Sequence, residues 1–379
     1  MKGSASSVVF RVAGGPRRGF GHIVRALSLA KAMQVAPRMS VRGTAETKKV
    51  AHRLGAWVKE QSLASVLAKG DVRLLVIDDP DAHAAADALA LARKHGAMVA
   101  SIHDLGLAPI ASDLAIDGSL AMLRKVWPAT DALLGPRYTV LDPSLLTDGA
   151  FLGQSMRAQS EGRLRVLVSF GGGPRVTMGL RIARAIADAN EDVWVTLAAG
   201  FSARPIQTGH ARVRLLESPS WLRSELARMD VAVLAGGVTL YEAALLGVPT
   251  VSVAIVAAQM PTIRAFERVG ASIAAGCAAP GDRAATERTH AKAVQAVGAL
   301  LADEDKRRAM AVQGQQQIDG RGALRVAAAL KRLMEQGTAV GWAAEESAAP
   351  QGDERDLMLQ AGAPAQDGAD ESRERKPAS

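Results

Sequence analysis

Short apolar runs alternate with alanine-rich helical stretches as far as residue 336, and this alternation constrains the fold more than any other feature of the chain. In the first half the runs are 8–13, 39–43, 74–77, 98–102 and 114–116, with helical stretches including 22–33, 46–54 and 83–95 between them. Runs of this kind, apolar on both sides and separated by helices, are strands of a parallel sheet covered on both faces. Around 136–161 the pattern lapses into Pro, Ser, Gly and Gln, and then a second series begins. Its strands are expected at 165–170, 193–199, 213–216, 231–234 and 250–253, and its helices at 177–189, 222–229 and 239–246. Helices at 284–301, 306–317 and 323–336 close the series. The expected fold class is α/β, with two Rossmann-like parallel-sheet domains and a cleft between them. The first domain is expected over 1–145, a linker over 146–160, the second domain over 161–322, and a closing helix packing back on the first domain over 323–342.

Composition narrows the class. A 379-residue chain with 48% hydrophobic and 22% charged residues can bury sizeable cores, and its length suits more than one domain. Cys277 is the single cysteine, which rules out an intrachain disulfide and fits a reducing, cytoplasmic setting. The N-terminus lacks a signal-peptide core, and the longest apolar stretch, 243–258, is broken by Gly247 and Pro249, so no transmembrane segment is expected. The segment 343–379 holds nine acidic and four basic residues with little that could pack, and is expected to be a disordered acidic tail. Subtracting its charge from the overall +8 leaves +13 on residues 1–342. Such a surface suits a phosphorylated small molecule or an acceptor at a membrane surface. With only 3% aromatic residues, the chain lacks the stacking platforms that would make nucleic acid a principal partner.

Three glycine turns carry the chemistry. Gly19-Phe20-Gly21-His22-Ile23-Val24-Arg25 follows the first strand and opens a helix. In open parallel sheets that junction is at the carboxyl edge, where ligands bind and helix N–H groups meet anions. His22 is the side chain in that loop able to exchange a proton near neutral pH. Ser169-Phe170-Gly171-Gly172-Gly173-Pro174 repeats the arrangement in the second series, although a tight turn alone would also account for it. The third is Ala235-Gly236-Gly237-Val238-Thr239-Leu240-Tyr241-Glu242, which runs on to Gly247-Val248-Pro249. Gly236 and Gly237 allow close approach to a ligand, Thr239 is placed to cap the helix, and the Glu242 carboxylate can accept hydrogen bonds from the vicinal hydroxyls of a ribose. A capping box formed by Thr239 and Glu242 would explain the same two residues without a ligand. Gln259 adds a polar group at the end of the next strand.

The third stretch resembles the nucleotide-binding signature of the glycosyltransferase B fold in MurG-type N-acetylglucosaminyl transferases. Together with Gly19–Arg25 and the segment Ile318-Asp319-Gly320-Arg321-Gly322-Ala323-Leu324-Arg325-Val326, it is similar to the PseG/SpsG family of nucleotide-sugar hydrolases and spore-coat polysaccharide proteins, over residues 8–336. The resemblance implies a UDP-activated, amino-substituted sugar as substrate, with no separate cofactor and no metal. It places Gly171, Gly172, Gly173, Gly236, Gly237, Val238 and Thr239 on the diphosphate and Glu242 on the ribose. The first domain, with Gly19 and Gly21, then serves the sugar and any acceptor, His22 is the base, and Arg25 stabilises leaving-group charge. A MurG-like transfer to a glycan or lipid-linked acceptor at the inner membrane surface, and a non-catalytic nucleotide-sugar-binding protein, are the alternatives.

The chain departs from the hydrolases at Val76-Ile77-Asp78-Asp79-Pro80-Asp81, where they carry an aspartate followed shortly by a tyrosine. Both hydrolysis and transfer stay open on that account. Asp79-Pro80-Asp81 also matches an Asp-x-Asp metal motif, but proline beside aspartates equally reads as a helix start. His103 follows the strand 98–102 and is placed either in the cleft or on a surface loop, while the other histidines lack metal-ligand spacing.

Overall fold

In the second sheet, alternate residues of each central strand face opposite ways, and both sets are buried. Val166 and Val168 join one core with Val231 and Val233, while Leu167, Ala232 and Leu234 join the other. A sheet buried on both faces needs helices on both, which parallel crossovers provide. The computed structural model describes residues 7–15, 18–103, 109–122, 126–149, 163–171, 175–200, 206–216, 222–278 and 281–337.

The first sheet contains β1 (Val8–Ala13), β2 (Arg38–Arg42), β3 (Trp57–Val58), β4 (Leu74–Asp78), β5 (Met98–Ile102), β6 (Leu114–Asp117) and β7 (Asp131–Leu134). They are parallel, in the order β3-β2-β1-β4-β5-β6-β7. Helices α1 (Gly21–Met33), α2 (Ala45–Arg53), α3 (Leu63–Leu67) and α4 (Ala82–Lys94) connect them. The second sheet contains β8 (Leu164–Ser169), β9 (Val193–Ala198), β10 (Val213–Leu216), β11 (Val231–Ala235), β12 (Thr250–Ala254) and β13 (Ser272–Cys277), parallel in the order β10-β9-β8-β11-β12-β13. Its helices are α5 (Val176–Ala189), α6 (Leu222–Leu226), α7 (Val238–Leu245), α8 (Met260–Arg268), α9 (Arg283–Ala302), α10 (Glu304–Gln317) and α11 (Gly322–Gln336).

The two parallel-sheet layers match the expected class. Strands β3, β7 and β13 and helices α3 and α8 add to the expected elements, and α6 stops at Leu226 rather than reaching 229. Helix α11 packs against α1 and against the turn at Pro136–Tyr138. Residues 150–160 of the expected linker and the tail at 343–379 lie outside the described residues. Among the described residues, no helix is long and apolar enough to cross a membrane.

Candidate functional site

Each sheet has a point where the strand order reverses: β1 lies between β2 and β4, and β8 lies between β9 and β11. Connections leaving there diverge to opposite faces and open a crevice at the carboxyl edge. The residues singled out in the sequence follow β1, β8, β11 and β12, and they line one cavity of about 590 Å³. Gly19, Gly21, His22 and Arg25 enter it from the first sheet; Gly171, Gly236, Gly237, Val238, Thr239, Glu242 and Gln259 enter from the second. Gly172 and Gly173 lie outside the described residues. The two walls are close: a Cβ on Gly21 would sit 3.7 Å from a Val238 methyl, and the Leu120 amide donates to the Tyr241 hydroxyl at 3.1 Å.

His22 does not cap its helix. The cap residue of α1 is Phe20, and the imidazole turns to the end of β4, where Nδ1 lies 2.8 Å from Asp78 Oδ1. Arg25, one turn further along α1, grips the same carboxylate with Nε to Oδ2 at 2.8 Å and Nη2 to Oδ1 at 2.6 Å. Burial alone would raise the Asp78 pKa, but the charge of Arg25, then that of His22 and the hydrogen bonds from both, outweigh it and hold the carboxyl well below the usual range. An ionised carboxylate can only accept, so the 2.8 Å contact is a bond from His22 Nδ1–H. In the neutral form of the ring the lone pair is then on Nε2. The 3.2 Å separation of Arg25 Nη2 from Nδ1 is the third side of a triangle of two donors on one oxygen. His22 keeps 15% of its side-chain surface accessible at the cavity wall, against 7% for Arg25. Arg25 therefore meets the site as the partner of Asp78, not as an open charge.

On the opposite wall the capping box that would explain Thr239 and Glu242 without a ligand does not form. Helix α7 starts at Val238 with Gly237 as its cap, no side chain caps it, and Thr239 is its second residue. Glu242 instead accepts from Arg223 Nε at 2.8 Å through Oε1, and Arg223 Nη1 donates to Asp142 Oδ2 at 2.7 Å. Asp142 Oδ1 in turn accepts from Lys31 of α1 at 3.0 Å. Burial works against the charged form of Asp142, but the Ser144 amide, Lys31 and Arg223 lower its pKa to about 2. Gly236 is required by packing, since a Cβ there would lie 2.9 Å from an Ile263 methyl and 3.0 Å from the Gln259 Cβ. A Cβ built on Gly237, by contrast, has nothing within 4 Å. Gln259 uses its Oε1 to accept from the Ile255 amide at 3.0 Å, fixing the turn after β12.

Helix ends differ in their capping. Helices α2, α3, α4, α9 and α10 are capped by Thr44, Ser62, Asp81, Asp282 and Asp303, with α4 starting just after the cavity-lining Asp79 and Pro80. Of the helices that start beside the cavity, α1, α5, α7 and α8 have neither a side-chain cap nor an acidic residue in the first turn, whereas α6, whose Leu222 and Arg223 line the cavity, carries Glu225 there. Helix α11 is also uncapped, with its first residue packed against Thr139. Uncapped N–H groups with no competing carboxylate suit an anion. Asp79 and Asp81 have structural tasks: Asp79 binds Arg42, with Nε to Oδ2 at 2.6 Å, and Asp81 caps α4 with Pro80 just before it. No cluster of three metal-ligating side chains occurs among the described residues.

Asp78, Asp142 and Arg223 were not expected from the sequence. Asp78 ends β4 beside β1, and that position at a reversal of strand order was the available signal. Asp142 and Arg223 lie in no motif. His103 lines the cavity, its Nε2 2.8 Å from the Ser101 hydroxyl.

No family model and no curated protein sequence matches the chain. Its architecture is that of the glycosyltransferase B fold, two parallel-sheet α/β domains, as in several solved structures. Spinosyn forosaminyltransferase SpnP superposes with a TM-score of 0.60 at 16% identity, over 88% of this chain and 100% of that one. MurG of Acinetobacter baumannii gives 0.59 at 14%, over 86% and 99%. The UDP co-structure of S. aureus MnaA gives 0.57 at 12%, over 87% and 97%.

Proposed function

We propose that the protein is an enzyme that cleaves or transfers the glycosyl group of a UDP-activated amino sugar bound in this cavity, with His22 as general base. The observation that carries the reading is the His22–Asp78 pair on one wall facing the uncapped start of α7 and Glu242 on the other. In this reading the second domain, 161–322, holds the nucleotide. The N–H groups at Gly171, Val238 and Thr239 take the diphosphate and Glu242 takes the ribose, while the Gly237 N–H is donated to the Ala235 carbonyl at 2.8 Å. The first domain, 1–145, holds the sugar, and α11 packs back on its helix α1.

His22 Nε2 takes the proton from water or from an acceptor hydroxyl as that oxygen bonds to the anomeric carbon. The bond from the anomeric carbon to the diphosphate oxygen breaks, its electron pair leaves with UDP, and the proton remains on the imidazolium, which Asp78 stabilises. General-base catalysis of this kind contributes about a hundred- to ten-thousand-fold. Helix N-termini oppose the charge that develops on UDP, so the scheme runs without a metal. The names of similar structures, a forosaminyltransferase and a UDP co-structure among them, support a nucleotide-sugar ligand.

Hydrolysis of the PseG/SpsG kind and transfer of the MurG kind, to a glycan or lipid-linked acceptor at the inner face of the membrane, differ only in the oxygen that attacks. Incubation with a panel of UDP-sugars, with and without acceptors and with EDTA, separates them: UDP release without acceptor indicates hydrolysis, and release that needs one indicates transfer. His22→Ala is expected to abolish release while leaving UDP binding nearly intact. Turnover that survived this change would rule out His22 as the base. Binding of UDP-sugars with no turnover under any acceptor would make the chain a binding protein.

A further inference from the structure

Arg223 lines the cavity and belongs neither to the motifs nor to the proposed chemistry. Its guanidinium spans two carboxylates, with Nε on Glu242 Oε1 at 2.8 Å and Nη1 on Asp142 Oδ2 at 2.7 Å. Glu242 is buried, whereas Arg223 keeps 29% of its side-chain surface accessible, and both line the cavity. Asp142 belongs to the segment that leaves the first sheet after the turn at Pro136–Tyr138, and its other oxygen is held by Lys31 of α1 and by the Ser144 amide and hydroxyl, at 3.0, 3.0 and 2.9 Å. A glutamate side chain has three rotatable bonds, and its carboxylate is useful for recognising a diol only when its plane is fixed. The planar fork of an arginine fixes it; the point charge of a lysine cannot hold two carboxylates in one plane.

We propose that Arg223 is a positioning residue for nucleotide recognition: held from the first-sheet side by Asp142, it locks the Glu242 carboxylate in the orientation that accepts the ribose hydroxyls. The inference rests on the proposed ribose role of Glu242. It makes the ribose site a property of both halves of the molecule, because the chain Lys31–Asp142–Arg223–Glu242 crosses from one to the other.

The test measures Kd by calorimetry for UDP and for 2′,3′-dideoxy-UDP, which lacks the diol. Arg223→Ala, Asp142→Ala and Glu242→Gln are each expected to weaken UDP about ten- to a hundredfold, the range of one charge-assisted hydrogen bond. R223A combined with E242Q should cost little more than either alone, and none of the variants should change dideoxy-UDP binding by more than about twofold. R223K leaves both carboxylates with a cation and carries the test if R223A fails to fold; a partial loss for UDP and none for the dideoxy ligand is expected. Equal losses for the two ligands would overturn the inference, because Arg223 would then act on the fold or the diphosphate. An effect of E242Q with none from R223A and R223K would also overturn it, while leaving the ribose role of Glu242 standing. If E242Q left UDP binding unchanged, the ribose role itself would fall, and this inference with it.

Discussion

Asp78 serves two neighbours with one carboxylate, and the consequences of removing it can be separated. Asp78→Asn keeps the size and removes the charge, so the His22 tautomer is no longer dictated and Arg25 is left buried beside a neutral amide. We expect kcat to fall by about a hundred- to ten-thousand-fold while UDP affinity stays within about twofold, because the nucleotide is held on the other wall. A variant whose kcat is unchanged would show that the pair is structural. The carboxylates also set the acid response. Asp142 has a folded pKa of about 2, whereas an unfolded aspartate titrates near about 3.9. A depressed folded pKa means stability that is fully present above about 4 and lost as the pH falls through about 2. Asp78 acts with the same sign and extends the loss further into acid. Melting temperatures of the wild type and D142N are therefore expected to differ at pH 6 and to draw together as the pH falls below about 4 towards about 2. A gap that stays constant would mean that Asp142 does not titrate as an ion-paired group. His22 was legible in the sequence because its glycine loop follows a strand. Its partner, 56 positions away, was not, because pairing across a parallel sheet depends on strand order.

At the scale of elements, the glycine-capped start of α7 is where stability and binding make opposite demands. Gly237→Asp would supply the missing cap, worth about 1 kcal/mol to the helix, and would also place a carboxylate where the diphosphate is proposed to bind. The expected outcome is an unchanged or raised melting temperature with UDP affinity lowered at least about tenfold; tighter UDP binding would exclude α7 as the anion site. Central strands such as β8 and β11 were legible because burial on both faces writes them as unbroken apolar runs. The edges were not. β3 is two residues long, β7 reads Asp-Ala-Leu-Leu, and β13 is built of small residues with a register shift opposite Ser252 and Val253. Such strands bury too little to leave a hydrophobic signal. Helix α8 was hidden by Pro261, which reads as a break but occupies the first turn, where a proline costs no hydrogen bond.

Over the whole fold, α11 is the segment that returns from the second sheet to pack on α1 and the turn at Pro136–Tyr138, and its seat there is very close. Gly322, the first residue of α11, approaches the backbone at Thr139 so closely that a Cβ would lie 2.2 Å from the Thr139 carbonyl oxygen and 2.7 Å from its nitrogen. Backbone cannot move aside as a flexible side chain can, so any larger residue must displace α11 or the strand-like segment beneath it. That segment, running from Tyr138 through Asp142, forms part of the cavity wall and ends at the carboxylate that holds Arg223. Arg325, one turn along α11, reinforces the contact by donating to the Arg137 carbonyl at 2.9 Å. Gly322→Val is thus expected to cost about 1–3 kcal/mol in chemical denaturation, the range of overpacking a close contact. It should also weaken UDP binding about three- to tenfold, although residue 322 does not itself line the cavity. A control at the other end of the same helix, Gly337→Ala, meets no atom within 4 Å, and its cost, about 1–2 kcal/mol, comes from the left-handed backbone alone, at φ 74°. That variant is expected to lose comparable stability and keep wild-type UDP affinity. Loss of UDP affinity in both variants would mean that binding simply follows stability; loss in G322V alone would mean that the seat of α11 on Thr139 sets the geometry of the nucleotide site.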